Sequence, residues 1–528
     1  MHPRVYPPTL FWLIPLTAVT LRMLPWFATF STPADPGIAY IPVGYIPNDF
    51  LTYIAFIRQV ADTGDWLWVN PFTTEPQSPR YFLGFFWLLG LICAVTGWDP
   101  FVVLEISRIP LTFIFFGVLW WFLLPIFAST RSRTVACLLV GFSGGVDGIV
   151  RAFLVLLPEA IRPLLADPLW HVLGWSTFGV LYNPLWIAAL TVMLVVIRPV
   201  LAPGGPASRQ QWLAVSLGLL LLWQIHPYSA ITAFGIAFCC PFAQFLSGHP
   251  WTASQHRLAV AWLFPAIVLT AAWVLWQRTD YAFSQISTDA FFTVNYVATI
   301  FWYPITFGVV AFAAFRSATW WRDSGAGWGP SLLCWFTVVA MIHNCPFIIG
   351  YHFLMYLHLP LALMATPFVV SMFPTRRPLM KLRAGPAIAL VFILITTPLV
   401  TIESVLDARR KNLMPQHWLG VLEVLAEHPS GNVFTEPELG SLVPAYSGHR
   451  VWVGHWALTP NYDVRAEAFK SLVSTRSGSR TLARLIEEHS IRYLVIRKSQ
   501  ADGVLKALAS RIEKRVDIGE FVVMVLPS

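Results

Sequence analysis

Residues 48–60 read Asn48-Asp49-Phe50-Leu51-Thr52-Tyr53-Ile54-Ala55-Phe56-Ile57-Arg58-Gln59-Val60, and 64–75 read Gly64-Asp65-Trp66-Leu67-Trp68-Val69-Asn70-Pro71-Phe72-Thr73-Thr74-Glu75. Leu51, Ile54, Ile57 and Ala61 recur at helical spacing, the pattern of an amphipathic helix lying at the level of lipid headgroups. Asn48-Asp49 stands at the cap or first turn of that helix. Asp49 therefore reads either as a capping group or as a carboxylate held at an interface for chemistry, where an ionised group is costly unless solvated, paired or used. Apolar runs flank the stretch, Leu10 to Phe30 before it and 81–98 and 101–127 after it. The first run exceeds the about 7–15 residues of a signal-peptide core and is read as a retained span, so 31–80 is a loop between membrane segments.

The rest of the chain agrees with this. Its 528 residues are 56% hydrophobic and 12% charged, about half the charge of an ordinary soluble domain, and the mean hydropathy is +0.62. The 25 Trp, 39 Phe and 15 Tyr suit interfacial aromatic belts. The net charge of +8 comes from arginines scattered between apolar runs, without the basic stripe and interleaved aromatics of a nucleic-acid groove, so no nucleic-acid partner is expected. All six cysteines lie in or beside apolar segments, which argues against a disulfide framework or a thiolate zinc site.

Further runs long enough to cross a bilayer, about 17–25 residues each, lie near 134–157, 178–197, 211–226, 228–246, 258–276, 296–315, 329–350, 353–373 and 386–402. The basic groups Arg131/Arg133, Arg198/Arg209, Arg257, Arg316/Arg322 and Arg376/Arg377/Lys381/Arg383 are each two spans apart. They share one face, cytoplasmic by the positive-inside rule. With the N-terminus inside, parity demotes 81–98 to an interfacial or re-entrant segment and leaves about eleven spans. The loop 31–80 and everything after residue 402 then fall outside.

The expected fold is mainly α: a polytopic helical membrane bundle over 1–402, followed by an extracytoplasmic α/β domain over 403–528. In that tail, helical patterns near 416–428, 463–474, 479–489 and 500–511 alternate with β-rich runs at Asn432–Thr435, Arg450–Val453, Tyr493–Arg497 and Phe521–Leu526. No internal repeat, Walker loop or dinucleotide fingerprint is present.

The same parity gathers polar chemistry on the outer face. Asp49 and Glu75 are the candidate catalytic carboxylates, since a group transfer to a hydroxyl needs a base to take its proton. Arg58, Arg80, Arg151, His226 and Arg278 are candidates to meet the negative charge developing on a departing phosphate. Asp147, His171, Tyr228 and His455 complete the substrate-binding candidates. Asp147 fits equally as an ion-pair partner of Arg151. His171 and His226 lie on different spans without i, i+4 spacing, so no metal site is assigned and no cofactor is expected.

The order of one span, an acidic outer loop with an interfacial helix, many further spans and an outer α/β tail resembles the GT-C superfamily of polytopic glycosyltransferases. Asn48-Asp49-Phe50-Leu51-Thr52-Tyr53, Gly64-Asp65 and Asn70-Pro71-Phe72 are similar to the first-loop pattern of that superfamily, and Pro444–Trp456 with Thr459–Tyr462 is similar to the tails of proteins grouped with it. The loop departs from the superfamily's common acidic pair, because Asn48 precedes Asp49. The resemblance implies transfer of a sugar from a polyprenyl-phosphate carrier to an outer-face glycan, lipid or protein acceptor, with inversion and with Asp49 as general base. A secondary transporter is the alternative from another class, disfavoured by the lack of a repeat and of midplane charges. A non-catalytic lipid-glycan-binding or assembly subunit is a third.

Overall fold

The computed structural model of the chain describes residues 6–31, 36–43, 47–144, 179, 181–285, 308–323, 327–343, 350–372, 396–474 and 476–527. Among them, six helices are long and apolar enough to cross a membrane: Thr9–Thr29, Pro100–Leu123, Pro184–Leu201, Pro227–Leu246, Ala253–Arg278 and Phe353–Met372. The chain divides into two compact units. One comprises Met1–Pro25, Ile106–Thr270 and Phe291–Leu406, and the other Trp26–Glu105, Ala271–Ala290 and Asp407–Ser528. The tail thus belongs to the same unit as the first loop.

The first unit is a helical bundle. Its elements include the greater part of α4 (Pro100–Leu123), α5 (Thr130–Phe142), α6 (Pro184–Leu201), α7 (Arg209–Ile225), α8 (Pro227–Leu246), α10 (Trp328–His343) and α11 (His358–Met372). Proline and short polar caps set the helix ends. Asn183 caps α6 with Pro184 at its first position, and Ser208 caps α7. Extended His226 and Pro227 break α7 from α8, the interruption expected at His226-Pro227-Tyr228.

Basic loops converge at one end of this unit. Phe127 packs on Trp320 and Trp321 at 6.1 and 5.9 Å, and Arg131 Nη2 donates to the Val370 carbonyl at 3.1 Å. Gln244 donates to the Ala202 carbonyl at 2.9 Å and accepts from Gly204 N–H at 3.1 Å and Trp251 Nε1 at 2.6 Å. The far ends of α5 and α11 meet where Ser143 Oγ lies 3.0 Å from His358 Nε2.

In the second unit, α2 (Pro47–Thr63) buries Phe50, Leu51, Ile54, Ile57 and Val60. Leu51, Ile54 and Ile57 belong to the apolar face legible in the sequence, and Phe50 and Val60 widen it. Against it lies α3 (Gly84–Thr96), whose Gly90 permits the approach: a Cβ there would sit 2.4 Å from Val60 Cβ and 2.9 Å from the Ile57 carbonyl. At 13 residues and about 1.5 Å per residue, α3 is about 20 Å long, short of the about 30 Å hydrocarbon core.

The tail is an α/β domain. Its sheet is ordered β4 (Arg450–Val451), β3 (Asn432–Phe434), β5 (Ile491–Arg497), β7 (Phe521–Val525), β6 (Lys514–Ile518). The first three strands run parallel and the last two pairs are antiparallel. Four of the expected tail helices are present, as α13 (Gln416–Ala426), α15 (Tyr462–Ser474), α16 (Arg476–Glu488) and α17 (Lys498–Leu508). The expected reading lacked β6, whose Lys514, Arg515 and Asp517 follow the charged pattern that protects an edge strand from further pairing. It also lacked α14 (Pro437–Ser447), which contains Pro444 and ends on Gly448 at φ +71°.

Candidate functional site

The turn Asn70–Glu75 is fastened to the tail throughout the second unit. Asn70 Nδ2 donates to the Leu458 carbonyl at 2.7 Å, and Val451 N–H to the Pro71 carbonyl at 2.9 Å. Thr459 Oγ1 donates to the Phe72 carbonyl at 2.9 Å, and Arg450 donates to the carbonyls of Thr73 and Glu75. Strand Ile38–Tyr40 pairs antiparallel with Leu413–Pro415. The first loop and the tail motif, more than 370 residues apart in sequence, therefore build one surface.

On that surface the two candidate carboxylates differ. The Glu75 carboxylate is ion-paired with Arg465, a residue with no sequence signal marking it, so it serves to lock the turn. Asp49 lies two residues inside a helix that begins at Pro47, in the first turn rather than at the cap. It is partly buried, and among the described residues its carboxylate forms no hydrogen bond or ion pair. Burial pushes its pKa up to about 6, despite the helix N-terminus, which favours the anion. A desolvated, unpartnered carboxylate titrating there is poised to accept a proton near neutral pH.

The candidate cations are placed differently from one another. Arg58 is nine residues from Asp49 on the same helix, which at about 100° per residue puts it on the opposite side. It donates to the Ala445 carbonyl at 2.6 Å and faces Asp99 at 3.5 Å. Arg80 bonds the Trp276 carbonyl and Thr279 hydroxyl, with its guanidinium 5.1 Å from the Trp276 ring centre. Each of these two arginines thus also anchors protein groups, Arg58 through Nε and Arg80 through Nη1. Arg278 is exposed at the end of α9 (Ala253–Arg278).

His455 is buried between Phe72 and Trp456, with ring centroids at 5.5 and 5.8 Å. Burial lowers its pKa to about 4, so it is neutral at physiological pH. Its Nδ1 accepts from Ala457 N–H at 3.2 Å, which leaves the proton on Nε2. Burial also lowers the pKa of His489, whose Nδ1 is 3.1 Å from Thr74 Oγ1, and of His449. These three groups bind protons more readily unfolded, where a histidine titrates near about 6.5. Their contribution is therefore complete above about pH 6.5 and lost at lower pH, that of His455 as pH falls through about 4. Asp49, with its raised pKa, is one group working in the opposite direction. Thermal unfolding of the tail is expected to move to lower temperature between pH 6.5 and 4.5, and His455→Gln to flatten that dependence. A Tm independent of pH across this window would contradict the assignment.

In the bundle, His226 Nδ1 lies 2.9 Å from Ser229 Oγ and 3.1 Å from Tyr356 Oη, and Ser229 and Tyr356 also bond each other. The Tyr228 ring is 5.3 Å from His226 and 5.6 Å from Phe353. Sequence reading found His226 and Tyr228 from the helix break but had no signal for Ser229 and Tyr356. Asp147, Arg151 and His171 lie outside the described residues.

No family model matches the sequence, and no curated protein matches it. Solved structures do match. The arabinofuranosyltransferase AftD from Mycobacteria aligns with TM-score 0.53 at 15% identity over 99% of this chain and 42% of its own, so the chain spans under half of AftD's length. ArnT from Cupriavidus metallidurans, bound to undecaprenyl phosphate, aligns with TM-score 0.50 at 12% identity over 98% of both chains.

The chain has the GT-C fold. Within that fold α2, the turn Asn70–Glu75 and the tail segment 450–459 are one fastened structure carrying Asp49. The bundle of the GT-C fold carries the His226–Ser229–Tyr356 cluster. The expectation drawn from the first-loop and tail motifs is met at the level of fold.

Proposed function

We propose that this chain transfers a sugar from a polyprenyl-phosphate carrier to a glycan, lipid or protein acceptor on the outer membrane face, with inversion and with Asp49 as general base. The observation that carries the proposal is the desolvated Asp49 carboxylate without a partner among the described residues, in a chain whose fold matches ArnT over 98% of both lengths. That ArnT structure holds undecaprenyl phosphate, the class of carrier proposed here. Convergence of the arginine-bearing loops at one end of the bundle supports a cytoplasmic assignment for that end, with the first loop and tail outside.

In the proposed step an acceptor hydroxyl attacks the anomeric carbon. The new glycosidic C–O bond forms as the bond from that carbon to the phosphate oxygen breaks, and Asp49 takes the hydroxyl proton. The leaving polyprenyl phosphate keeps the electron pair. Arg278, exposed at the end of α9, is the cation assigned here to receive that charge.

The test is transfer by the purified chain in lipid vesicles from undecaprenyl-phosphate-linked pentoses and hexoses, read as release of undecaprenyl phosphate. No release from any donor sinks the proposal. Cysteines introduced in 31–80 and 440–460 are expected to label from outside intact cells, and labelling from the inside alone would refute the orientation. Because the base must be ionised, kcat is expected to rise about tenfold per pH unit below about 6 and to level above it. A kcat flat from pH 5 to 8 would remove Asp49 from the role.

A further inference from the structure

The arginine-bearing end of the bundle encloses a cavity of about 690 Å³ that the proposed transfer does not use. Its volume is within the about 300–1,000 Å³ of small-molecule sites. The body is apolar, walled by Phe315, Trp321, Leu333 and Met364, while Ser247, His249 and Arg322 supply polar groups. The walls are preformed. Trp321 Nε1 donates to the Met364 carbonyl at 2.9 Å, and a Cβ on Gly329 would come 3.0 Å from Trp321 Cβ. Phe315 and Leu333 are 75% and 55% exposed, so the wall reaches the outer surface of the bundle, which in a membrane protein meets lipid.

A space of this size with so few polar partners does not hold ordered water, because each water needs two to four such partners. A hydrocarbon chain satisfies the walls. The polar groups constrain what that chain carries. Arg322 is exposed, Arg316 one short helix earlier is also exposed, and both belong to the basic end described above. His249 Nδ1 donates to the Ser247 carbonyl at 3.0 Å, which holds its ring beside the cavity. An apolar chain with a phosphate at its end matches this arrangement, and basic pockets between helices take anionic headgroups.

We propose that this cavity binds an anionic glycerophospholipid, one acyl chain inside it and the phosphate at Arg322. Its lining includes none of the residues described around Asp49, and the proposal does not depend on the proposed transfer. It makes anionic lipid of the surrounding leaflet a bound component of the protein.

Native mass spectrometry of the purified full-length chain tests this, with dioleoylphosphatidylglycerol and dioleoylphosphatidylcholine titrated in turn. The wild-type chain is expected to retain one phosphatidylglycerol about tenfold more tightly than phosphatidylcholine. Ala314→Trp, which fills the cavity from its lining, is expected to weaken phosphatidylglycerol binding about tenfold. Arg322→Gln is expected to make the two lipids equal while keeping both bound. Leu333→Trp at the exposed rim serves if Ala314→Trp does not fold. Equal wild-type retention of the two lipids overturns the proposal. So does unchanged phosphatidylglycerol binding by a folded cavity-filling variant, or stoichiometric displacement of phosphatidylglycerol by an equal concentration of undecaprenyl phosphate.

Discussion

Asp49→Asn is expected to lower kcat for sugar transfer by about 10²–10⁴-fold, the usual contribution of a positioned base, with the KM for the donor unchanged and the Tm at neutral pH no lower, since a desolvated anion is replaced by a neutral group. Asparagine has nearly the same shape and keeps a side-chain oxygen, so any local role in finishing the helix N-terminus survives it. What it loses is the ability to accept a proton. The environment makes this separation clean: the carboxylate is partly buried, forms no ion pair among the described residues and is held up to about 6 by desolvation alone. No partner is left unpaired by the change. Residual activity of the variant should also lose the rising limb below about pH 6. Wild-type turnover by a well-folded Asp49→Asn protein would end the base assignment.

Gly440→Val is expected to destabilise the tail by about 3 kcal/mol, lowering its Tm by about 6–12 °C. The reason is a backbone-on-backbone contact. A Cβ at Gly440 would lie 2.1 Å from the Val453 carbonyl oxygen, and one at Gly454 would lie 2.7 Å from the Gly440 carbonyl oxygen. A flexible side chain could swing away from such a clash, but here both obstacles are main chain. Both are held: Ser441 Oγ donates to the Gly454 carbonyl at 3.1 Å, and Gly454 N–H donates to Thr459 Oγ1 at 3.1 Å. Thr459 in turn fastens the Phe72 carbonyl. The loss of fit should therefore spread from α14 to the Asn70–Glu75 turn and reduce transfer as well as stability. Unchanged thermal unfolding of the variant would show that the helix can slide on the strand end.

The two substitutions probe different kinds of information. Asp49 was legible because it begins an apolar repeat of helical period in a loop between membrane runs, and periodicity is a local property. The same holds for α6, α8 and α9, which are long apolar runs, and for β5, whose buried run Tyr493–Ile496 reads as a strand covered on both faces. The role of Glu75 was not legible. Its Arg465 partner is 390 residues away, and an acid beside Asn-Pro looks alike whether free or paired. Arg58 reads as an interfacial cation until the Ala445 carbonyl, 387 residues on, is found to take its donor. The helix α14 was hidden for a local reason. Its Gly440 and Pro444 signal a loop, and they are tolerated because Pro437 starts the helix, Gly448 ends it, and Gly440 lets it rest on Gly454.

From the amino-acid order alone came the membrane character, the helical bundle, the α/β tail and the GT-C resemblance, because hydropathy and period are written in consecutive residues. Only the tertiary structure separated the unpaired carboxylate from the paired one, and the anchoring arginines from the exposed one. It also brought the tail and the first loop into one unit. Those distinctions depend on which groups desolvate and neutralise one another across hundreds of residues, and that is settled only when the chain has packed.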